Sequence, residues 1–171
     1  MAVITQIRDE TAADHAAVRA LNLAAFDGAG EADLVHRLRR RASPLVSLVA
    51  ERRGDIVGHI LFSPVELDGH PGLRAMGLAP MAVHPDWQRR GIGKELVRNG
   101  IGWCASLGFE AVFVLGHPEY YPRFGFRPAS GYGISSEYDA PDEAFMALEL
   151  EPGALLDLHG MLRYHEAFND L

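Results

Sequence analysis

Apolar and polar residues alternate from Val3 to Arg8, and that period of two predicts a first strand. Asp9 to Thr11 then offer capping side chains. From Ala12 to Phe26 the apolar positions, Val18, Leu21 and Phe26 among them, recur at helical spacing. Gly28-Ala29-Gly30 breaks that run. Glu31 to Arg41 predicts a second, amphipathic helix with Leu34, Val35 and Leu38 on one side. Its closing Arg39-Arg40-Arg41 complements the negative end of a helix dipole.

Leu45 to Glu51 and Ile56 to Leu67 predict two strands joined by a turn at Arg53-Gly54-Asp55. Asp68 to Gly72 predicts a second turn, and Leu73 to Val83 a third strand of this group. Pro80 has no N–H to give to a ladder, so a bulge or a splay is expected there. Ile92 to Leu107 predicts a long helix with Ile92, Leu96, Val97, Trp103, Cys104 and Leu107 near one face, stopped by Gly108. Ala111 to Leu115 is continuously apolar and predicts a buried strand. Pro118 to Phe124 predicts a short helix opened by proline, and Phe126 to Pro128 and Ala144 to Leu150 predict later strands. Glu151 to Leu171 is less regular. Strand, two helices, three strands, helix, strand, helix and further strands make a mixed α/β (α+β) pattern without internal repeat or linker. At 171 residues, one domain over 1–171 is expected.

Composition narrows the chemistry. A chain this long can bury a core without disulfides, and Cys104 is the only cysteine. No apolar run approaches the roughly 20 residues of a bilayer span, and Met1 to Arg8 does not resemble a signal segment, so a cytoplasmic protein with no membrane partner is expected. The net charge of −7 argues against a nucleic-acid partner. The eight histidines are scattered without a His-Glu-x-x-His spacing, so no metal is expected.

Against that negative balance, Gln88-Arg89-Arg90-Gly91-Ile92-Gly93-Lys94 is locally basic. It lies between a strand and a long helix. Glycines there let a ligand approach the backbone, and a helix N-terminus presents free N–H groups and partial positive charge, so the segment suits a phosphate group. A Walker loop would need glycine at Gln88 and Ser or Thr at Glu95. A dinucleotide fingerprint would need glycine or alanine at Leu96. Both fail.

The remaining pattern, Gln-x-x-Gly-x-Gly after an interrupted strand, resembles the GNAT acetyltransferase superfamily. Leu78-Ala79-Pro80-Met81-Ala82-Val83-His84-Pro85 resembles the strand that precedes the loop in that family. Ala111-Val112-Phe113-Val114-Leu115-Gly116 resembles the strand that follows. Tyr120-Tyr121-Pro122-Arg123-Phe124-Gly125-Phe126 resembles the family's tyrosine segment. The resemblance runs over residues 1 to 130 and is sharpest from Leu78 to Phe126. Phe62-Ser63-Pro64-Val65 and Arg163-Tyr164-His165 look like a bacterial subgroup of N-acetyltransferases with unassigned substrates.

The resemblance implies a GNAT fold: a twisted mixed sheet of six to seven strands, splayed between the fourth and fifth and flanked by helices. It implies acetyl-CoA as acyl donor and a small-molecule or peptide amine as acceptor, with a homodimer as one assembly. Met81, Ala82 and Val83 would offer a strand edge to the pantetheine arm, with the Met81 N–H supporting the thioester oxygen. Gln88 to Lys94, Ile92 included, would hold the pyrophosphate, and Phe124 would join the cofactor site. Tyr121 takes the position of the general acid, with Tyr120 one residue away as its alternative. Some members carry a glutamate on the strand before the loop, and none stands between Leu78 and Val83 here. The base is therefore open among Glu31, Glu66, His84, His117 and water. That departure also motivates a second function, an acyl-CoA sensor with little or no turnover.

Overall fold

The computed structural model describes residues 5–171. Its elements are β1 (Gln6–Asp9), α1 (His15–Ala25), α2 (Gly30–Arg41), β2 (Val46–Arg52), β3 (Asp55–Leu67), β4 (His70–Val83), α3 (Ile92–Ser106), β5 (Ala111–Leu115), β6 (Arg127–Pro128), β7 (Ile134–Ser136), β8 (Phe145–Glu149) and β9 (Gly160–Arg163). The sheet follows the path β1-β2-β3-β4-β5-β8-β6, and β9 joins β3 and β7 off that path. Every pairing is antiparallel except β4 with β5 and β7 with β9. This is the expected mixed sheet flanked by helices. Among the described residues, no helix is long and apolar enough to cross a membrane.

Side-chain alternation along the strands builds two cores. Val49, Leu61, Phe113, Phe145 and Ala147 face Val18, Leu34, Val35 and Leu38 of α1 and α2. Leu48, Ala50, Ile60, Phe62, Val112, Val114 and Met146 face Ile92, Leu96, Val97 and Cys104 of α3. Each such fully buried aliphatic side chain contributes about 1.5–3 kcal/mol. Two glycines bring α3 close to the sheet. A Cβ at Gly58 would stand 2.9 Å from Leu96, and one at Gly100 would stand 2.2 Å from the Phe62 ring.

Several expectations shift in detail. The first strand begins at Gln6, while Val3 and Ile4 lie outside the described residues. The first helix opens as a 3-10 turn at Ala12–Asp14 before α1. There Asp14 accepts two bonds from Arg8, at 2.7 and 2.9 Å, and one from the Thr11 N–H; the Arg8 guanidinium holds its carboxyl well below the usual range. Trp103 of α3 and Leu107 at its C-cap are exposed, and Gly100 takes the core position instead. The second turn shrinks to Asp68-Gly69, because β4 already pairs with β3 at His70↔Leu67. Residues 118–124 form a 3-10 turn only over Tyr121–Phe124. β7 and β9 had no periodic signature; they are three and four residues long, and pairing with one another and with β3 holds them.

Pro80 marks the point that shapes the site. Between Ile60↔Met81 and Phe62↔Leu78, β3 advances two residues and β4 three, so β4 carries a one-residue bulge at Ala79-Pro80. Pairing of β4 with β5 runs from Ala75↔Ala111 to Leu78↔Val114 and stops there. Beyond Leu78, β4 stays laced to β3 as far as Gly58↔Val83 while β5 leaves it. That is the splay.

Beneath α2 lies a partly buried polar string. Ser47 donates to Glu10 at 2.6 Å, and Glu10 is ion-paired with Arg39. With its one proton committed, the Ser47 hydroxyl accepts from His59 Nε2 at 2.9 Å. The other ring nitrogen, Nδ1, is buried without a partner. Burial pulls His59 down to about 4, with Glu10 opposing and Arg39 adding to the shift.

Candidate functional site

The chain between β4 and α3 makes a 3-10 turn at Pro85–Trp87 and then passes through two left-handed residues, Arg89 (φ 62°) and Gly91 (φ 83°). Gly91 caps α3 in a conformation that disfavours a Cβ by about 1–2 kcal/mol. The first helical bond is Glu95 N–H to Gly91 O at 3.1 Å, so the N–H groups of Ile92, Gly93 and Lys94 have no helical acceptor. Arg89, Arg90 and Lys94 add charge to that positive pole. Gln88 lies beside them. Its side chain donates to the Val83 carbonyl at 3.1 Å and ties the loop to the end of β4.

The sequence did not single out three residues beside this loop. Trp87 lies under two guanidinium groups, Arg52 at 3.9 Å and Arg90 at 4.7 Å from its ring centroid. Arg52 comes from the end of β2, distant along the chain, and its Nε is buried without a hydrogen bond. Loss of water lowers the pKa of Arg52, and Arg53 and Arg90 lower it further. Arg123, the third, lies over the Tyr120 ring at 4.6 Å; a basic residue inside the tyrosine segment was its one signal. Among the described residues, Arg52, Arg89, Arg90 and Lys94 form no ion pair. Unpaired cations gathered at a free helix N-terminus attract a ligand with several negative charges.

Arg89 and Lys94 line a hollow of about 500 Å³ together with Met81, Val83, Trp87 and Tyr120, while Arg52 and Arg90 stay outside that lining, over the Trp87 ring. Met81 and Val83 bring the freed edge of β4. His84 N–H donates to Val57 O at 2.9 Å, and hydrogen-bonded residues alternate along an antiparallel ladder. In the register His59↔Ala82 and Ile60↔Met81, Ala82 therefore turns its backbone groups to β3. Met81 and Val83 turn theirs to the gap that β5 leaves.

The tyrosines separate. Their rings stack at 5.2 Å and 18°. Tyr120 lines the hollow, and its hydroxyl would stand 3.3 Å from a Cβ at Gly93. Tyr121 is buried and outside that lining, edge-on to Phe126 at 5.6 Å. Its hydroxyl has no hydrogen bond among the described residues. Burial, then the neighbouring Tyr120, pushes it up to about 12. Phe124 packs behind both rings, at 5.3 and 6.3 Å, and also lies outside the lining.

On the opposite face of the sheet a second hollow, of about 320 Å³, opens at the same divergence. Leu78 and Ala79 of β4 and Leu115 of β5 meet Tyr138, Tyr164, Phe168 and Leu171 there. The base candidates scatter. Glu66 sits exposed beside the far turn of β3 and β4, roughly 20 Å along the strand from Met81 at about 3.3 Å per residue. The His84 ring accepts from Asp86 N–H at 3.1 Å, and His117 is exposed, its carbonyl occupied by Tyr120 and Tyr121 N–H. Glu31 opens α2, and its Oε2 is buried without a partner. The preceding Gly30 touches Leu171, a wall of the second hollow: a Cβ there would be 3.2 Å from Leu171. No group of three or more His, Cys, Asp or Glu among the described residues could hold a metal ion.

Residues 11–126 match the model of the acetyltransferase (GNAT) family. The uncharacterized N-acetyltransferase YhbS of Escherichia coli K12 is 35% identical over 164 residues, covering 95% of this chain and 98% of YhbS. A second uncharacterized N-acetyltransferase of that organism, YjhQ, is 42% identical over 134 residues, 76% of this chain and 74% of YjhQ. The crystal structure of E. coli YhbS in complex with CoA superposes with a TM-score of 0.93 at 34% identity, covering 99% of this chain and 94% of that one. A GNAT acetyltransferase from Brucella melitensis in complex with acetyl-CoA gives 0.80 at 32% identity, covering 98% and 99%.

Proposed function

The chain belongs to the GNAT acetyltransferase family, and on that premise we propose that it moves the acetyl group of acetyl-CoA directly to the primary amine of a small molecule or peptide. One observation carries the reading. A single hollow joins a glycine-capped helix N-terminus, its unpaired cations and a strand edge released from its neighbour. Such a site fits a ligand with a pyrophosphate at one end and an amide-bearing arm at the other. The CoA and acetyl-CoA bound in the two similar structures are of that kind.

Acetyl-CoA supplies an acyl group activated as a thioester. The N–H groups of Ile92, Gly93 and Lys94, with Arg89 and Arg90, bind the pyrophosphate, and Arg52 adds charge from beside Trp87. Val83 and the Met81 carbonyl pair with the arm. The Met81 N–H supports the acyl oxygen as negative charge builds there; one such donor contributes about 3–4 kcal/mol. As the amine nitrogen bonds to the acyl carbon and the carbon–sulfur bond breaks, Tyr121 gives its phenolic proton to the sulfur, and the second proton that the nitrogen sheds on becoming an amide restores the phenol. Glu31 takes the proton that the ammonium must lose before it can attack. The assignment of Tyr121 rests on its place in the tyrosine segment and on a hydroxyl with no other partner. Tyr120 serves as a wall of the donor site. Residues 1–171 act as one acyltransferase domain, working in the cytoplasm.

Calorimetric titration with acetyl-CoA, paired with a thiol assay of CoA release over a panel of amines, tests this. Binding together with amine-dependent release is expected. Tight binding without release on any amine or peptide would replace the enzyme with a sensor.

A further inference from the structure

The second hollow carries more information than its position. Its floor is Leu78, the last residue of β4 paired with β5, with Ala79 beyond it, and its side is Leu115, one residue past the Val114 that pairs with Leu78. It therefore opens where the transferred group would emerge from the splay. Its far wall is aromatic: Tyr138 and Tyr164 pack at 5.7 Å, and Tyr164 and Phe168 at 5.2 Å. Leu115 and Leu171 form its lip and are 40% and 61% exposed. Two large apolar side chains left in water beside an apolar hollow mark a surface that a ligand covers.

The charges around it are equally informative. No lining residue is acidic or basic. Glu137, which faces Tyr138, is already engaged by the Tyr164 N–H at 3.0 Å and by Arg163 at 3.6 Å. Among the described residues, Glu31 is the one carboxylate beside the wall with a buried, unpartnered oxygen; in the wall itself the Tyr164 hydroxyl, uncharged, is also buried without a partner. One carboxylate serves one ammonium. A polyamine or an aminoglycoside would carry further ammonium groups into a lining that offers them no carboxylate, and a charge without a countercharge is poorly tolerated away from water. Aromatic faces, in contrast, accept both an apolar body and a single cation.

We propose that this hollow is the acceptor pocket and that it selects a primary amine bearing an aryl or branched alkyl group, with no second positive charge. The proposal rests on the acetyltransferase reading for the identity of the acceptor, and not for the hollow's preference. The test uses the full chain saturated with CoA, so that binding is measured apart from turnover. Calorimetry compares phenethylamine with spermidine. Phenethylamine is expected to bind at least about tenfold more tightly, as one well-filled apolar site discriminates. Leu115→Asp and Leu171→Asp, both at exposed positions, are expected to weaken phenethylamine by about tenfold or more and to leave CoA binding within twofold. Equal or tighter binding of spermidine overturns the proposal, as does indifference of both variants. If octanoyl-CoA binds far more tightly than acetyl-CoA and the same variants erase that difference, the hollow holds an acyl tail and the proposal also fails. Binding of phenethylamine with no acetylation of it or of any other amine leaves the pocket standing and removes the enzyme reading.

Discussion

Gly116 lies against the ring of Tyr121 so closely that a Cβ at position 116 would stand 2.5 Å from Tyr121 Cε2. The end of β5 thus sets where the phenol points. Gly116→Ala must push the ring away from the divergence. We expect kcat to fall by about tenfold or more, with the acetyl-CoA KM changed less than threefold, since proton transfer to a leaving group contributes about 10²–10⁴. Steady-state kinetics decide it, and an unchanged kcat would remove Tyr121 from the reaction.

The two tyrosines should divide the kinetic constants. Tyr121→Phe is expected to cost about 10²-fold in kcat. Tyr120→Phe, at the wall of the donor hollow, should chiefly raise the KM for acetyl-CoA. Because burial holds Tyr121 up at about 12, the phenol keeps its proton throughout the neutral range. No loss of kcat assignable to it should begin below about pH 11. The reverse division between the two variants would move the acid to Tyr120.

Gly91 has no atom within 4 Å of an added Cβ, so its constraint is the positive φ alone. Gly91→Ala should cost about 1–2 kcal/mol of stability. Relaxation of the strained turn would also tilt the first N–H groups of α3, and CoA affinity should fall by about tenfold. Urea unfolding and calorimetry report the two effects separately. Unaltered affinity would mean that the helix start is not where the ligand's charge sits.

Two glycines in α3 should behave oppositely. Replacing either by alanine gains up to about 1 kcal/mol of helix propensity. At Gly102 the space is open, so that gain should appear as added stability. At Gly100 the new methyl meets Phe62, and overpacking of about 1–3 kcal/mol outweighs the gain. Urea midpoints that move in the same direction for both variants would contradict the packing described here.

His59 supplies an acid sensitivity with a definite window. Its pKa in the fold, about 4, lies below the ordinary value near 6.5 that it regains on unfolding. Stability from keeping it neutral is full above pH 6.5 and is lost as pH falls toward 4. Between pH 6.5 and 4.5 the loss should be about 2–3 kcal/mol. Asp14, held low by Arg8, contributes its own loss only below that window. His59→Leu should flatten the curve of urea midpoint against pH there; a curve as steep as wild type's would show that another group is responsible.

What could be read from the chain and what could not divide along physical lines. Ala111 to Leu115 and Leu34, Val35 and Leu38 were legible because burial imposes a period or a continuous apolar run. Pro80 was legible because a missing N–H has few places in a sheet. β7 and β9 were not, because their ladder partners rather than their composition hold them. Trp103 and Leu107 misled, since hydrophobicity alone cannot reveal that Gly100 occupies the contact point under Phe62. In the candidate site, the glycine loop announced itself through charge and backbone chemistry. Arg52 could not, because only folding brings the end of β2 beside Trp87. Ala82 stands between Met81 and Val83 in the chain and faces the other way, a distinction that needs the register of β3.

The bulge at Ala79-Pro80 has one more consequence. Since β3 holds β4 on both sides of it, the cleft between β4 and β5 is a fixed notch in a rigid sheet and needs no hinge. A donor entering it finds the strand already in place, and little binding energy is spent on ordering the receptor. The notch also divides the molecule's labour. On the proposed function, one face grips the donor through backbone amides that mutation leaves largely intact, while the other meets the acceptor through side chains such as Leu115, Tyr138 and Leu171. Substrate preference can therefore drift by exchange of a few side chains on one face without disturbing the donor grip on the other.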